Sequence, residues 1–293
     1  MRILHLDAGR EMRGGQWQVL RLIEGLAGTG VESTLLARPG SPLATAVRAR
    51  GWRVVPLGFA QAAVLARRHD LVHAHDASSH TLATFAGGVP LLVARRVAFP
   101  IRSRWKYASA RHYLAVSEFV KRVLMAGGVA EPKISVVYDG VPMLEPSAGN
   151  RVLALANFGD PQKGAPVAME AARLAGVELL LTDNLERDLP QASSFVYITH
   201  AEGLGSAALL AMSAGVPVIA SRVGGLPEVV RDRETGLLVE NAPAAVAAAL
   251  VELAGDREFA RRLGAAARRR VIDNFTVDHM VRRTMEVYQK VLS

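Results

Sequence analysis

Cysteine is absent from all 293 residues. That excludes a disulfide framework and any thiolate metal site. Aromatic residues are scarce, at 5%, and the basic residues are spread over many segments rather than forming an aromatic-interleaved strip. A nucleic-acid surface is therefore not expected. No apolar run is long enough to span a bilayer. The first residues read directly as a β-type run with no secretory leader before it, so the expectation is a cytoplasmic protein. What is abundant is apolar material, half of the chain, enough for two medium α/β domains. The net charge of +8 and pI near 10.3 point to an anionic partner, such as anionic lipid or a phosphorylated glycan. Much of that charge, Arg261, Arg262, Arg268, Arg269 and Arg270, is expected on a solvated helix face.

Strand and helix patterns alternate along the chain, which predicts parallel sheets with crossover helices. Strands are expected over 2–7, 32–37, 53–56, 71–74, 91–94, 113–116 and 134–137, with helices over 14–27, 41–50 and 117–126. Two prolines, a serine and a glycine break the pattern over 142–150, the expected interdomain linker. Strands at 151–156 and 178–181 and a helix at 165–174 follow, and a last helix covers 277–292. The expected domains are 1–145, 151–276, and a C-terminal helix from 277 to 293.

The most informative stretch runs from Tyr197 to Glu240. A β-type run at 194–199 breaks at Glu202-Gly203-Leu204-Gly205, a helix is expected over 206–214, and a strand resumes over 218–221. A glycine-rich strand-to-helix turn presents backbone N–H groups where the helix dipole favours an anion. Glycine lets a phosphate approach without meeting a Cβ. Glu202, at the mouth of the turn, can accept hydrogen bonds from ligand hydroxyls. A carboxylate for a sugar beside amides for a phosphate suggests a nucleotide-sugar site.

The succession EGLG, AMSAGVPVIAS, GGLPEVV and TGLLV resembles the C-terminal half of retaining GT-B glycosyltransferases (group 1, family 4-like). Further segments extend the resemblance over nearly the whole chain. These are Gly14-Gly15, Asp70-Leu-Val-His73-Ala-His75-Asp76, Ala115-Val-Ser117-Glu118, and Ile134-Ser-Val-Val-Tyr138-Asp139-Gly140-Val141. The implied fold is α/β GT-B: two Rossmann-like parallel-sheet domains facing a cleft, with the C-terminal helix crossing back to the first. The implied activity is sugar transfer from a nucleotide-diphosphate sugar, with retention, to a glycan or lipid-linked acceptor. The sugar nucleotide is substrate, and no cofactor or metal is expected.

The resemblance assigns roles residue by residue. Lys163 would neutralise the donor diphosphate, Glu202 would hold sugar hydroxyls, and Gly203, Leu204, Gly205 and Ser206 would supply amides. Gly15 would let the first domain close over the diphosphate. His75, at the end of its strand, is the candidate to reach the reacting centre. Arg13 and Gly14, with Arg95 and Arg96, would meet an anionic acceptor. Contact with the inner face of a membrane is compatible with the basic charge.

Three departures qualify this expectation. The E-x7-E motif is degenerate, because Leu210 replaces the second glutamate, which in the family holds the ribose. Asn157 stands where the family has an arginine, with Arg222 as a substitute. The stretch from Gly164 to Glu202 is short, so Thr182, Asp183, Asn184 and His200 would line the base site. A competing expectation is a non-catalytic sugar-nucleotide-binding relative or a partner subunit of an active transferase.

Overall fold

The structure is a computed structural model, which describes residues 1–156 and 163–293. The chain forms two compact units, residues 1–140 with 277–293, and residues 141–276.

The first unit alternates strand and helix: β1 (Arg2–Asp7), α1 (Gly14–Leu26), β2 (Glu32–Ala37), α2 (Pro42–Ala49), β3 (Arg53–Pro56), α3 (Phe59–Ala66), β4 (Leu71–Ala74), α4 (Ala77–Ala86), β5 (Leu91–Arg95), α5 (Arg104–Ala108), β6 (His112–Ala115), α6 (Glu118–Ala126) and β7 (Ile134–Val136). Its seven strands are ordered β3-β2-β1-β4-β5-β6-β7, and the paired strands run parallel. Helix starts follow from local chemistry. Ser41 and Ser117 accept hydrogen bonds from Ala44 and Val120 amides at 3.3 and 3.1 Å, and Asp76 receives the Ser78 and Ser79 amides at 2.8 and 3.0 Å. Each satisfies amides that a helix leaves unpaired in its first turn.

The second unit contains β8 (Arg151–Leu155), α7 (Ala165–Ala175), β9 (Leu179–Thr182), α8 (Leu185–Asp188), β10 (Ala192–Tyr197), α9 (Ser206–Ser213), β11 (Val218–Ser221), α10 (Leu226–Val229), β12 (Leu237–Val239), α11 (Pro243–Gly255) and α12 (Arg257–Asn274). Its sheet is ordered β12-β11-β10-β8-β9, again parallel. Its core gathers small and branched residues from α7, α11, α12 and the strands, among them Ala171, Val196, Ile219, Leu250 and Leu263. Residues 142–150 carry no helix and only a single-residue bridge, at Val141 beside them. Ser147 ties this stretch to the second unit by donating to the Pro190 and Ala192 carbonyls at 3.0 and 2.6 Å.

The last helix, α13 (Val277–Leu292), belongs to the first unit. Met280, Val281, Thr284, Val287, Tyr288 and Val291 are buried, a single stripe at helical spacing. The stripe packs on Ile3, Leu22, Leu26, Leu71, Leu92 and Leu114. Burying its apolar members contributes on the order of 10 kcal/mol before entropy. Gly25 permits the approach, because a Cβ there would lie 2.4 Å from a Val281 methyl.

Two sequence expectations are corrected here. Arg268 and Arg270 are not on a solvated face. Arg268 donates to the Leu144 carbonyl at 2.5 Å and to that of Ser213, and Arg270 donates to Val229 and Glu228 carbonyls at 2.9 and 2.6 Å. Both cations thus sit at helix C-termini, of α9 and α10, where unpaired carbonyls favour them. Helices α3, α4 and α11 were not expected; α3 and α11 are alanine-rich, and their apolar residues show little periodicity.

Candidate active site in the second unit

In an open parallel sheet, ligands bind beyond the strand C-termini where the strand order reverses. In the second unit β8 leads to β9 on one side and β10 lies on the other, so the reversal lies between β8 and β10. Lys163 follows β8 and Glu202 follows β10, and the fold brings them together. Lys163 Nζ lies 2.9 Å from Glu202 Oε2, with the side chains 22% and 17% exposed. Tyr197 donates its hydroxyl to the same Glu202 oxygen at 2.5 Å and accepts from Lys163 Nζ at 3.3 Å. Lys163 also lies 5.3 Å from the Tyr197 ring centroid, within cation–π range.

Backbone contacts set this geometry. Lys163 bridges Thr199, and the Gly164 amide donates to the Ile198 carbonyl at 2.9 Å. A side chain at Gly164 would meet Ile198 Cγ2 at 2.4 Å. The Thr199 amide donates to Ser221 Oγ at 2.9 Å. Ser221 in turn donates to Asn241 Oδ1 at 2.5 Å, and Asn241 Nδ2 donates to the Thr199 carbonyl at 2.8 Å. This closed ring of polar contacts fixes the start of the loop that carries Glu202. His200 Nδ1 is 3.4 Å from Asn241 Nδ2.

The bend itself is shaped by a second glycine pair. The Gly225 amide donates to the Glu202 carbonyl at 3.1 Å. A Cβ on Gly224 would fall 2.0 Å from that carbonyl oxygen, and one on Gly225 2.1 Å from the Gly203 carbonyl oxygen. Gly224 and Gly225 are therefore required so that the two turns can stack. Gly205 precedes α9 at φ 107°, a left-handed conformation suited to glycine. The Gly203 amide lies 3.2 Å from its neighbour's Glu202 Oε1. Gly203, Leu204 and Gly205 are buried, and Ser206 is partly exposed. Helix geometry points the first-turn amides of α9 out of its N-terminus, where an anion is favoured.

Leu210 is buried in α9 and offers no hydrogen-bonding group to a ligand. Arg222 is committed to Asp232 at 2.5 Å and to the Leu238 carbonyl at 3.0 Å, which corrects its expected service as a diphosphate clamp. Asn157 and the rest of its loop lie outside the described residues. Thr182 donates to Asp188 at 2.5 Å and Asn184 caps α8 through the Arg187 amide at 3.1 Å.

In the first unit the order reverses between β1 and β4. At the end of β1 Asp7 accepts from the Gly9 amide at 2.8 Å and from Gln16 Nε2 at 3.2 Å, and burial raises its carboxyl above the usual range. Asp76 receives the Ala8 amide at 2.6 Å, and Arg38 donates to the Ala8 carbonyl at 2.7 Å. Arg13 precedes α1 and reaches Glu11 at 2.7 Å across exposed surface. Gly14 opens the helix, and a Cβ on Gly15 would meet nothing within 4 Å. Arg96 pairs with Asp139 at 3.1 Å and is 18% exposed. Arg95 donates to Tyr107 Oη at 2.7 Å and to the Phe99 carbonyl. Both arginines are thus engaged within the unit.

His75 does not line an open surface. It is buried, with Nε2 3.0 Å from His5 Nδ1, and its ring centroid lies 4.0 Å from that of His73. His73 Nδ1 meets Tyr288 Oη at 2.8 Å. The misreading has a simple cause: His73 and His75 share a strand face, and His5 is the cross-strand partner of His73, all beneath α13. Burial lowers His5 to about 3 and holds His73 and His75 well below the usual imidazole range. Ligand atoms of the three rings lie within 4.8 Å of one another, a grouping not legible in the sequence. Arg96 adds positive charge to their surroundings, which opposes a cation there.

Comparison with known proteins bears on the fold. Residues 12–143 match the family model Glycosyltransferase Family 4, and residues 120–256 match Glycosyl transferases group 1. HepE (Alr3699) of Anabaena, solved in complex with UDP and glucose, superposes with TM-score 0.86 at 16% identity, covering 99% of each chain. The chain has the GT-B glycosyltransferase fold. A glycosyltransferase of Rickettsia africae superposes with TM-score 0.83 at 19% identity, covering 100% of this chain and 98% of that one. In sequence, the chain is 40% identical over 121 residues to alpha-maltose-1-phosphate synthase of Mycolicibacterium smegmatis, covering 39% of this chain and 31% of the relative. It is 34% identical over 111 residues to N-acetyl-alpha-D-glucosaminyl L-malate synthase of Bacillus anthracis, covering 38% and 29%. The chain thus spans about a third of the length of these curated relatives. Tyr197, Asn241 and the Gly224–Gly225 pair were not assigned from sequence. Their signal was position: Tyr197 ends β10, the glycine pair lies in a turn after β11, and Asn241 follows β12.

Proposed function

We propose that the protein transfers a sugar from a nucleotide-diphosphate sugar to a glycan or lipid-linked acceptor, with retention of configuration. The observation that carries this reading is the Lys163–Glu202–Tyr197 cluster at the strand-order reversal of the second unit. Matches to two glycosyltransferase family models support it, as does the likeness to a fold solved with UDP and glucose.

On this reading the diphosphate takes the Lys163 ammonium and the first-turn amides of α9, beginning near Ser206. Glu202 accepts from sugar hydroxyls. The bond from the anomeric carbon to the diphosphate oxygen breaks, and a bond to the acceptor oxygen forms on the same face. The acceptor proton passes to the departing phosphate oxygen. Charge stabilisation and positioning then supply most of the acceleration, and no protein base is required. His75 has a packing role in this scheme. Ribose is held by groups other than residue 210. The acceptor side of the reaction is assigned to the first unit, at Arg13, Gly14 and Gly15, and a lipid-linked acceptor would bring the protein to a membrane face.

The test is calorimetric titration with UDP, GDP and ADP, followed by incubation with the corresponding sugar nucleotides. Slow hydrolysis of one of them, with the released or transferred sugar keeping its anomeric configuration by NMR, is the expected result. Tight diphosphate binding without turnover of any sugar nucleotide would favour a non-catalytic relative, the reading supported by Leu210 and by the engagement of Arg222 with Asp232.

A further inference from the structure

We propose that the first unit docks on anionic lipid bilayers through an aromatic patch, Phe85, Phe99 and Trp105, edged by Arg102 and Arg104. Phe85 and Trp105 are 61% and 59% exposed, and Phe99 is 50% exposed. These are large apolar side chains that a protein surface seldom presents together. The Phe85 and Trp105 rings are in contact, with centroids 5.8 Å apart. Phe99 is tied to the same place by Arg95, whose guanidinium donates both to the Phe99 carbonyl and to Tyr107 Oη on α5.

The inner side of this segment is anchored, so its outward side is a fixed surface. Tyr107 stacks on buried Tyr113 at 5.5 Å. Ile101 lies so close to Gly127 that a Cβ there would fall 2.5 Å from its Cδ1. Lys106 donates to the Ala77 carbonyl at 2.6 Å. Arg102 and Arg104 are exposed, and neither has an ion pair or side-chain hydrogen bond among the described residues.

Charge complementarity selects the occupant. From Ala77 to Ser117 the sequence holds Arg95, Arg96, Arg102, Arg104, Lys106 and Arg111, and no aspartate or glutamate. The run Arg102-Ser-Arg104-Trp105-Lys106-Tyr107 is an aromatic-interleaved basic strip of the kind not expected from the dispersed composition. Its rings are engaged by neighbours, Trp105 by Phe85 and Tyr107 by Tyr113, rather than standing apart as a base-stacking platform. Aromatic side chains beside cations at one surface suit the bilayer interface, where rings enter the headgroup level and cations meet anionic lipid. No helix among the described residues is long and apolar enough to cross a membrane, so the proposed contact is peripheral.

Binding is read on the full chain by co-sedimentation with vesicles, without any sugar nucleotide, so its outcome is separate from that of the transferase reading. Vesicles of phosphatidylcholine containing about 30% phosphatidylglycerol should retain the protein, and pure phosphatidylcholine should not. Arg102→Ala with Arg104→Ala should weaken binding about 30-fold, from the usual contribution of a cation near an anionic surface. Phe99→Ser should weaken it at least about fivefold. Trp105→Phe should still sediment while losing the emission quenched by brominated lipid. The substituted side chains are exposed, and circular dichroism confirms that each variant is folded. Equal binding to neutral vesicles, or quenching that persists in Trp105→Phe, would overturn the proposal. So would loss of self-association in the variants with no change in vesicle binding, which would mark the patch as a contact between copies.

Discussion

Substitution of the two charged members of the cluster separates their roles. Lys163 and Glu202 neutralise each other at 2.9 Å, so diphosphate binding exchanges one anionic partner of Lys163 for another. A charge-assisted hydrogen bond in a partly buried site is worth about 1.5–3 kcal/mol. Lys163→Ala removes the cation altogether, and UDP affinity should fall about 30-fold, roughly 2 kcal/mol. Glu202→Gln has the opposite sign for the diphosphate alone. It removes the competitor while keeping the side-chain shape, so UDP affinity should hold or rise by about threefold. The same variant weakens the acceptor for sugar hydroxyls, and the preference for UDP-sugar over UDP should shrink about fivefold, roughly 1 kcal/mol. Stability should change little in Lys163→Ala, about 1 kcal/mol or less, because Tyr197 still donates to Glu202. Isothermal titration of both variants with UDP and with UDP-sugars measures the affinities, and urea denaturation measures the stability. If Lys163→Ala leaves UDP affinity within about twofold of the parent, or Glu202→Gln weakens UDP as much as Lys163→Ala does, the assignment is wrong.

Three further outcomes are expected. Imidazoles depressed by burial bind fewer protons folded than unfolded, so their stability contribution is intact above about pH 6.5 and is lost as the pH falls towards their folded values. For His5, His73 and His75 this amounts to about 2 kcal/mol each at pH 5, and the urea midpoint should drop steeply between pH 6.5 and 5; a flat profile would contradict their buried neutral state. Asp7, whose carboxyl is raised by burial, gives a smaller change of opposite sign. Gly224→Ala combines a left-handed φ of 58° with a Cβ 2.0 Å from the Glu202 carbonyl oxygen; it should cost about 2–4 kcal/mol and abolish UDP binding by calorimetry. Tyr288→Phe leaves His73 Nδ1 without its 2.8 Å partner and should lower stability by about 1–3 kcal/mol in chemical denaturation, with UDP affinity unchanged.

Much of the fold is legible in the sequence because the signals are local. The strands at Arg2–Asp7, Arg53–Pro56 and Leu71–Ala74, and the helix at Val277–Leu292, have the bounds expected from apolar pattern and turn residues. Helices α3, α4 and α11 escape because short or alanine-rich segments carry little periodicity. The proximity of Lys163 to Glu202 is legible in the order of the motifs, since both follow neighbouring strands of one sheet. Tyr197, Ser221 and Asn241 are not, because their roles rest on contacts between residues distant in the chain. His75 illustrates the limit best. Its place at a strand end suggested an open edge, whereas its neighbours His5 and His73 and the covering helix decide that it is enclosed. Arg95 and Arg222 likewise look free in sequence and are engaged by Tyr107 and Asp232.

The central claim is that a pyrophosphoryl group is received by the Lys163 ammonium and the amides at the N-terminus of α9. A crystal structure of the protein soaked with UDP tests it most directly. Phosphate oxygens should lie within hydrogen-bonding distance of Lys163 Nζ and of amides around Ser206, with Glu202 released from Lys163. Phosphates bound elsewhere, with the Lys163–Glu202 pair intact, would contradict it.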